Sequence, residues 1–139
     1  METRKEIAIN IIHARIGYIL ASLSSYQHLG INKEISKINN QIEDIKRSLI
    51  EDKEYLDIRD VIKMRNIVEE KKKEIKGYDG NPLYDGHKIA CLLYEVSLEI
   101  EKLIIDLDIS NEEFNEFLSL SSQYLSICAR IVNKELLSY

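Results

Sequence analysis

The 139 residues include no Trp, one Pro, five Gly, two Cys, two Met and two Phe. Each scarcity excludes something. An all-β sandwich needs turn signals about every ten residues, and so few Gly and Pro cannot supply them. Cys91 and Cys128 are too few for the disulfide framework of a small secreted scaffold. Positive charge is outnumbered: 19 Lys and Arg face 24 Asp and Glu, for a net charge of −5 and a pI near 5.3. That balance argues against broad, sequence-independent binding of nucleic acid. A long membrane-spanning run is also lacking. The stretch Ile7–Leu29 is apolar, but Arg15 breaks it, and Ile16–Asn32 is too rich in Ser, Gln and His to cross a bilayer. These absences set the expectation of a cytoplasmic protein with reduced thiols and no membrane segment.

What remains is 45% hydrophobic and 31% charged, in a chain of 16.2 kDa. Such a chain buries roughly two-thirds of its unfolded surface and folds without staples. It fits one compact domain over residues 1–139. Its 23 Ile, and 13 Lys against 6 Arg, suggest AT-rich coding of the kind found in low-GC bacteria, phages, plasmids and some viruses.

Apolar residues recur at helical spacing through most of the chain. Ile9, Ile12, Ile16, Ile19, Leu23 and Tyr26 follow steps of three and four, behind a capping-box pattern at Thr3–Glu6 and ahead of Gly30. Ile31, Ile35, Ile38, Ile42, Ile45 and Leu49 form a second, narrow stripe between polar flanks. A third run, from about Tyr55 to Lys76, carries Ile58, Val61, Ile62, Val68 and Ile75, with Arg65 and Lys72 on its seam. The fourth helix is expected from Asp85 to Asp106, its core face formed by Ile89, Leu92, Leu93, Val96, Ile100, Leu103 and Ile104. The fifth opens at a second capping box, Ser110–Glu113, and buries Phe114, Phe117, Leu118, Tyr124, Leu125, Cys128, Ile131 and Val132. The fold read from this pattern is all-α: a largely antiparallel bundle of four to five helices, over about 3–29, 31–50, 54–76, 85–106 and 111–138. Residues 31–76 form either one bent helix or a hairpin; the absence of Gly and Pro between Asn32 and Lys76 favours a continuous helix or a kink over an open loop.

Charge is uneven along the chain. Residues 1–30 carry three basic and two acidic groups, 31–76 carry twelve and eleven, and 77–139 carry four and eleven, giving +1, +1 and −7. The run Val68–Glu74 alternates Glu with Lys and reads as a solvated face supported by its own i,i+3 and i,i+4 pairs.

Few residues form a pattern that could do chemistry. The loop Gly77–Gly86 holds Pro82, three Gly and two Tyr-Asp-Gly units, and leads into His87 and Lys88. Asp-Gly is turn chemistry, and Asp85 suits a helix cap. The same loop is the expected ligand site, if there is one: Tyr78, Asp79, Tyr84, Asp85, His87 and Lys88 would gather around a helix N-terminus able to attract an anion. His87 and Cys91 lie four apart, as two metal ligands would, but a zinc site needs a third, and no second tight pair exists. No metal and no cofactor is therefore expected. The helical-ribonuclease pattern of Arg, four to six intervening residues and His finds no counterpart, and Glu-x-x-His, phosphate-loop and nucleophile-elbow motifs are absent.

Small residues line two helices: Ala14, Gly17, Ala21 and Ser24 on the first, and Ser122, Ser126 and Ala129 on the fifth. Tight packing of these two helices on each other is one reading, and a groove for a partner helix is the other. Taken together, the residues favour a non-enzymatic protein that acts by protein–protein interaction, as a regulator, adaptor or inhibitor. Self-association through the Ile31–Leu49 stripe is expected. The alternative is a helical domain that binds an anion or small molecule at residues 77–88, with or without weak hydrolytic activity.

Overall fold

A computed structural model of the chain describes residues 4–24, 30–37, 39–40, 58–74, 88–106 and 112–137; of residues 5, 74, 114 and 135–137 it describes the backbone alone. The described residues are almost entirely helical, with no strand among them, and form an all-α bundle in one domain. The helices are α1 (Arg4–Leu23), α2 (residues 32–37 and 39–40), α3 (Ile58–Glu74), α4 (Lys88–Asp106) and α5 (Glu112–Leu137).

The stripe of α1 is buried as its spacing predicts: Ile9, Ile12, Ile16, Ile19 and Leu23 are all shielded from solvent. Each such side chain stabilises the fold by roughly 1.5–3 kcal/mol. The described helix runs to Leu23, and residues 25–29 of the expected first helix lie outside the described residues. The Ser24 N–H (3.3 Å) and hydroxyl (2.7 Å) both donate to the Ala21 carbonyl, tightening the last turn. Its 20 residues make it about 30 Å long. Gly30 has φ of +68°, a left-handed conformation that suits glycine. The chain turns there, and Ile31 and Ile35 of the next stripe enter the core. Asn32 Nδ2 donates to the Leu23 carbonyl at 3.1 Å, satisfying an acceptor that the end of α1 leaves open. The remainder of the predicted Ile31–Leu49 stripe, from Ile38 onward, lies outside the described side chains.

In α3 the buried positions are Val61, Met64 and Val68, with Ile67 packed beside them. Ile58 and Ile62, read from the sequence as part of this stripe, are exposed. The difference is one of phase. Steps of three and four from Val61 lead to Met64 and Val68, and Ile62 stands about 100° around the helix from Val61. Arg65 and Lys72, each four residues beyond a buried valine, are exposed all the same, and their charges are solvated.

α5 is the centre of the bundle. It packs most extensively on α4 and also along α3, and α1 packs on the other side of α4. Phe117, Leu118, Leu120, Tyr124, Leu125, Ile127, Cys128, Ala129 and Val132 are buried on it, and so are Ser121, Ser122 and Asn133. α4 contributes Ile89, Ala90, Leu93, Val96, Ile100 and Leu103. Arg15 of α1 pairs with Glu95 (3.0 Å) and with Glu99 of α4, whereas Arg4 and Ala8 share a cleft with Lys102 and Asp106, so α1 and α4 run antiparallel. Arg65 of α3 pairs with Glu116 of α5 (Nε to Oε1 3.1 Å), and farther along both helices Lys72 and Lys73 share a groove with Ser126 and Arg130. These two helices therefore run the same way, with α4 opposed to both.

Candidate binding surfaces

α3 and α4 both lean on α5, and the space between them is an open groove of about 980 Å³. One wall is α3, through Glu69, Lys72 and Lys73; the other is α4, through Tyr94, Ser97, Leu98 and Glu101. The floor is the face of α5 that neither neighbour covers: Ser122, Gln123, Ser126, Ile127 and Arg130. Small side chains at 122 and 126 keep that floor low. Ser122 lies 2.9 Å from both the Ser97 carbonyl and Glu101 Oε1, and its single proton serves one of them at a time. Ser97 donates to the Tyr94 carbonyl at 2.6 Å. The polar atoms at the base of the α4 wall are thus engaged.

The charges in the groove are not equally engaged. Lys72 pairs with Glu69 (3.3 Å) and Lys73 with Glu70 (3.2 Å), each within α3. Glu101 accepts from Ser122. Arg130, half-buried on the floor, has no ion pair among the described residues. Tyr94 and Leu98, both exposed, line the same groove. The groove therefore offers an apolar wall, polar small residues and a cation without a carboxylate.

A second surface is the outward face of α1. Ile7, Ile11 and Tyr18 are 45%, 41% and 54% exposed, and Ala14 and Ala21 are exposed between and beyond them. Steps of four, three, four and three place all five on one line, on the side of the helix away from the core. Of the small residues of α1, Ala14 and Ala21 belong to this line rather than to an internal packing face. α1 packs on α4, and a Cβ built at Gly17 would meet nothing within 4 Å. On α5, by contrast, Ser122 and Ala129 are buried and Ser126 half-buried, and Ser122 touches α4 rather than α1. The expected close contact of helices one and five is replaced by two separate contacts of α4.

Of the loop residues expected to form a ligand site, Lys88 is the exposed first residue of α4. Tyr78, Asp79, Tyr84, Asp85 and His87 lie outside the described residues. Cys91 is half-buried and Cys128 buried, both as free thiols. No cluster of three or more His, Cys, Asp or Glu able to hold a metal occurs among the described residues. The sequence pattern did not point to the groove. Its signal was present but indirect: Ser119, Gln123, Ser126 and Arg130 follow helical spacing as a weakly polar stripe on α5.

By length and composition, Glu6–Leu23 is long and apolar enough to cross a membrane, the only such stretch among the described residues. Compared with known proteins, the chain matches no family model, no curated protein and no solved structure.

Proposed function

We propose that this protein acts without catalysis, by holding a helix of another protein in the groove between α3 and α4, as a cytoplasmic regulator, adaptor or inhibitor. The observation that carries this reading is the combination of exposed Tyr94 and Leu98 with the unpaired Arg130 in one open groove. A helix laid in such a groove buries an apolar stripe against the wall and directs a carboxylate to the guanidinium. The fitting partner is an amphipathic helix that bears acidic residues. Lys72 and Lys73 on the rim add to the attraction for acid in a chain whose C-terminal part is otherwise strongly acidic.

The test uses a photo-crosslinking residue at position 98 in cells of the source organism, followed by binding measurements with the purified partner. The expected result is a partner whose affinity falls at least ~10-fold with Leu98→Glu or Arg130→Glu, with helicity unchanged. Arg130→Lys should retain part of the affinity. A partner that binds both acidic variants as tightly as the wild type would remove the groove as the site. A small-molecule ligand filling the groove, with no protein crosslinked, would contradict the reading in favour of a ligand-binding domain.

A further inference from the structure

Outside α1, the large apolar side chains that stand exposed among the described residues are Ile58 and Ile62 of α3 and Tyr94, Leu98 and Ile105 of α4. They are not scattered. On α4, Tyr94, Leu98 and Glu101 line the groove, and one further step of four on the same side reaches Ile105, which is 81% exposed. On α3, Glu69 and Lys73 line the groove. Two turns before Glu69, on the same side of the helix, stands Ile62, and one turn before that Ile58. Both walls therefore continue as apolar lines.

The contacts fix how these lines stand along α5. Ser122 touches both Ser97 and Glu101. Because α4 runs opposite to α5, Ile105 then stands about level with Glu116, and Arg130 with the first turn of α4. Arg65 pairs with Glu116, so Ile62, about one turn before Arg65, lies toward the same end as Ile105. The surface is thus graded. Arg130 marks one end, Tyr94 and Leu98 the stretch that follows, and Ile105 with Ile62 the other end. From Arg130 to the level of Ile105 is about 14 residues of α5, or roughly 21 Å.

We infer that the partner helix runs antiparallel to α5, with a carboxylate in its N-terminal turns at Arg130 and apolar side chains from there to Ile62 and Ile105. This rests on the groove's being the seat of an acidic amphipathic helix, and adds its direction, its length and the place of its charge. The directions of the neighbours give the first argument. α3 and α5 point one way and α4 the other, so a fourth helix pointing with α4 completes a bundle of two up and two down, its dipole opposed to two of its three neighbours. The position of charge gives the second. A carboxylate stabilises a helix near its N-terminus and destabilises it near its C-terminus. Arg130 calls for a carboxylate at one end of the surface, and that end therefore receives the partner's N-terminus. Farther along, Glu69 and Glu101 line the two walls, and a carboxylate placed between them would be repelled. The partner is thus acidic at its start and apolar beyond, over about four turns.

The test uses the partner captured at position 98, with a photo-crosslinking residue placed at position 94 in one variant and at 105 in another, and the linked residues read by mass spectrometry. Position 94 should link a partner residue about eleven positions N-terminal to the one linked from position 105, the separation of 94 and 105 themselves. Ile105→Glu and Ile62→Glu, with folding checked by circular dichroism, should each weaken binding at least ~5-fold. Replacing the partner's N-terminal carboxylate by Lys should improve binding to the Arg130→Glu variant at least ~5-fold. Linked residues in the reverse order would overturn this inference while leaving the groove as the helix site, and so would an affinity indifferent to both Ile105→Glu and Ile62→Glu. No protein linked from 94, 98 or 105 would overturn this inference and the groove together.

Discussion

α1 and α5 are built from similar material and used differently. By composition α1 is the more apolar helix. Yet α5, with Ser at 119, 121, 122 and 126, is the one buried nearly all round, while the apolar outer face of α1 remains open. The difference is positional. α5 stands between α3 and α4 and is covered from two sides, whereas the main partner of α1 is α4. Apolar content reports how much surface a helix could bury, and the neighbours determine how much it does. Small serines even help α5, because they let α4 approach closely enough for Ser122 to bond the Ser97 carbonyl.

The sharpest way to break this contrast is to truncate one aromatic on each helix. Tyr124→Ala empties a fully buried site and should destabilise the fold by about 3–5 kcal/mol, read by urea denaturation. Tyr18→Ala should stay within about 0.5 kcal/mol of the wild type. If the two variants had equal effects, the outer face of α1 would have to be as enclosed as the core.

The two faces of α1 should differ by the next largest amount. Ile16→Ala removes a fully buried side chain and should cost about 2–4 kcal/mol. Ile11→Ala, across the helix and 41% exposed, should cost under about 1 kcal/mol. Thermal unfolding of both separates them.

Adjacent serines on α5 provide a finer test. Ser122 bonds the α4 wall, so Ser122→Ala should lose about 1 kcal/mol. Ser121 is fully buried and its hydroxyl has no hydrogen-bond partner among the described residues, so Ser121→Ala should be neutral or stabilising by a similar amount. Denaturant midpoints for the pair, with unchanged slopes, would establish the difference in sign. The smallest effect belongs to Arg15. Its pairs with Glu95 and Glu99 are largely solvated, and Arg15→Met should change stability by at most about 1 kcal/mol, less in high salt.

The helical architecture was legible in the sequence because it rests on periodicity. The stripe Ile9–Leu23 and the α4 face from Ile89 to Leu103 are buried as their spacing requires. α3 was harder to read, since Ile58 and Ile62 compete with Val61, Met64 and Val68, and only packing against α5 fixes the phase. The groove was not legible, because it is made by three helices leaning together and by the cover that Arg130 lacks. The outer line of α1 was visible only as a row of small residues. Ile7, Ile11 and Tyr18 join it once the core side of the helix is known. The loop at 77–88 drew attention through its Tyr, Asp and Gly, yet of its proposed ligand residues only Lys88 falls among those described.

Hydrogen exchange tests the contrast between α1 and α5 most directly. Amides of α5 around Tyr124 should exchange only through global unfolding. Those of α1 should exchange through smaller openings, because only one face is held. Protection in α1 that equals that of α5 would contradict the account.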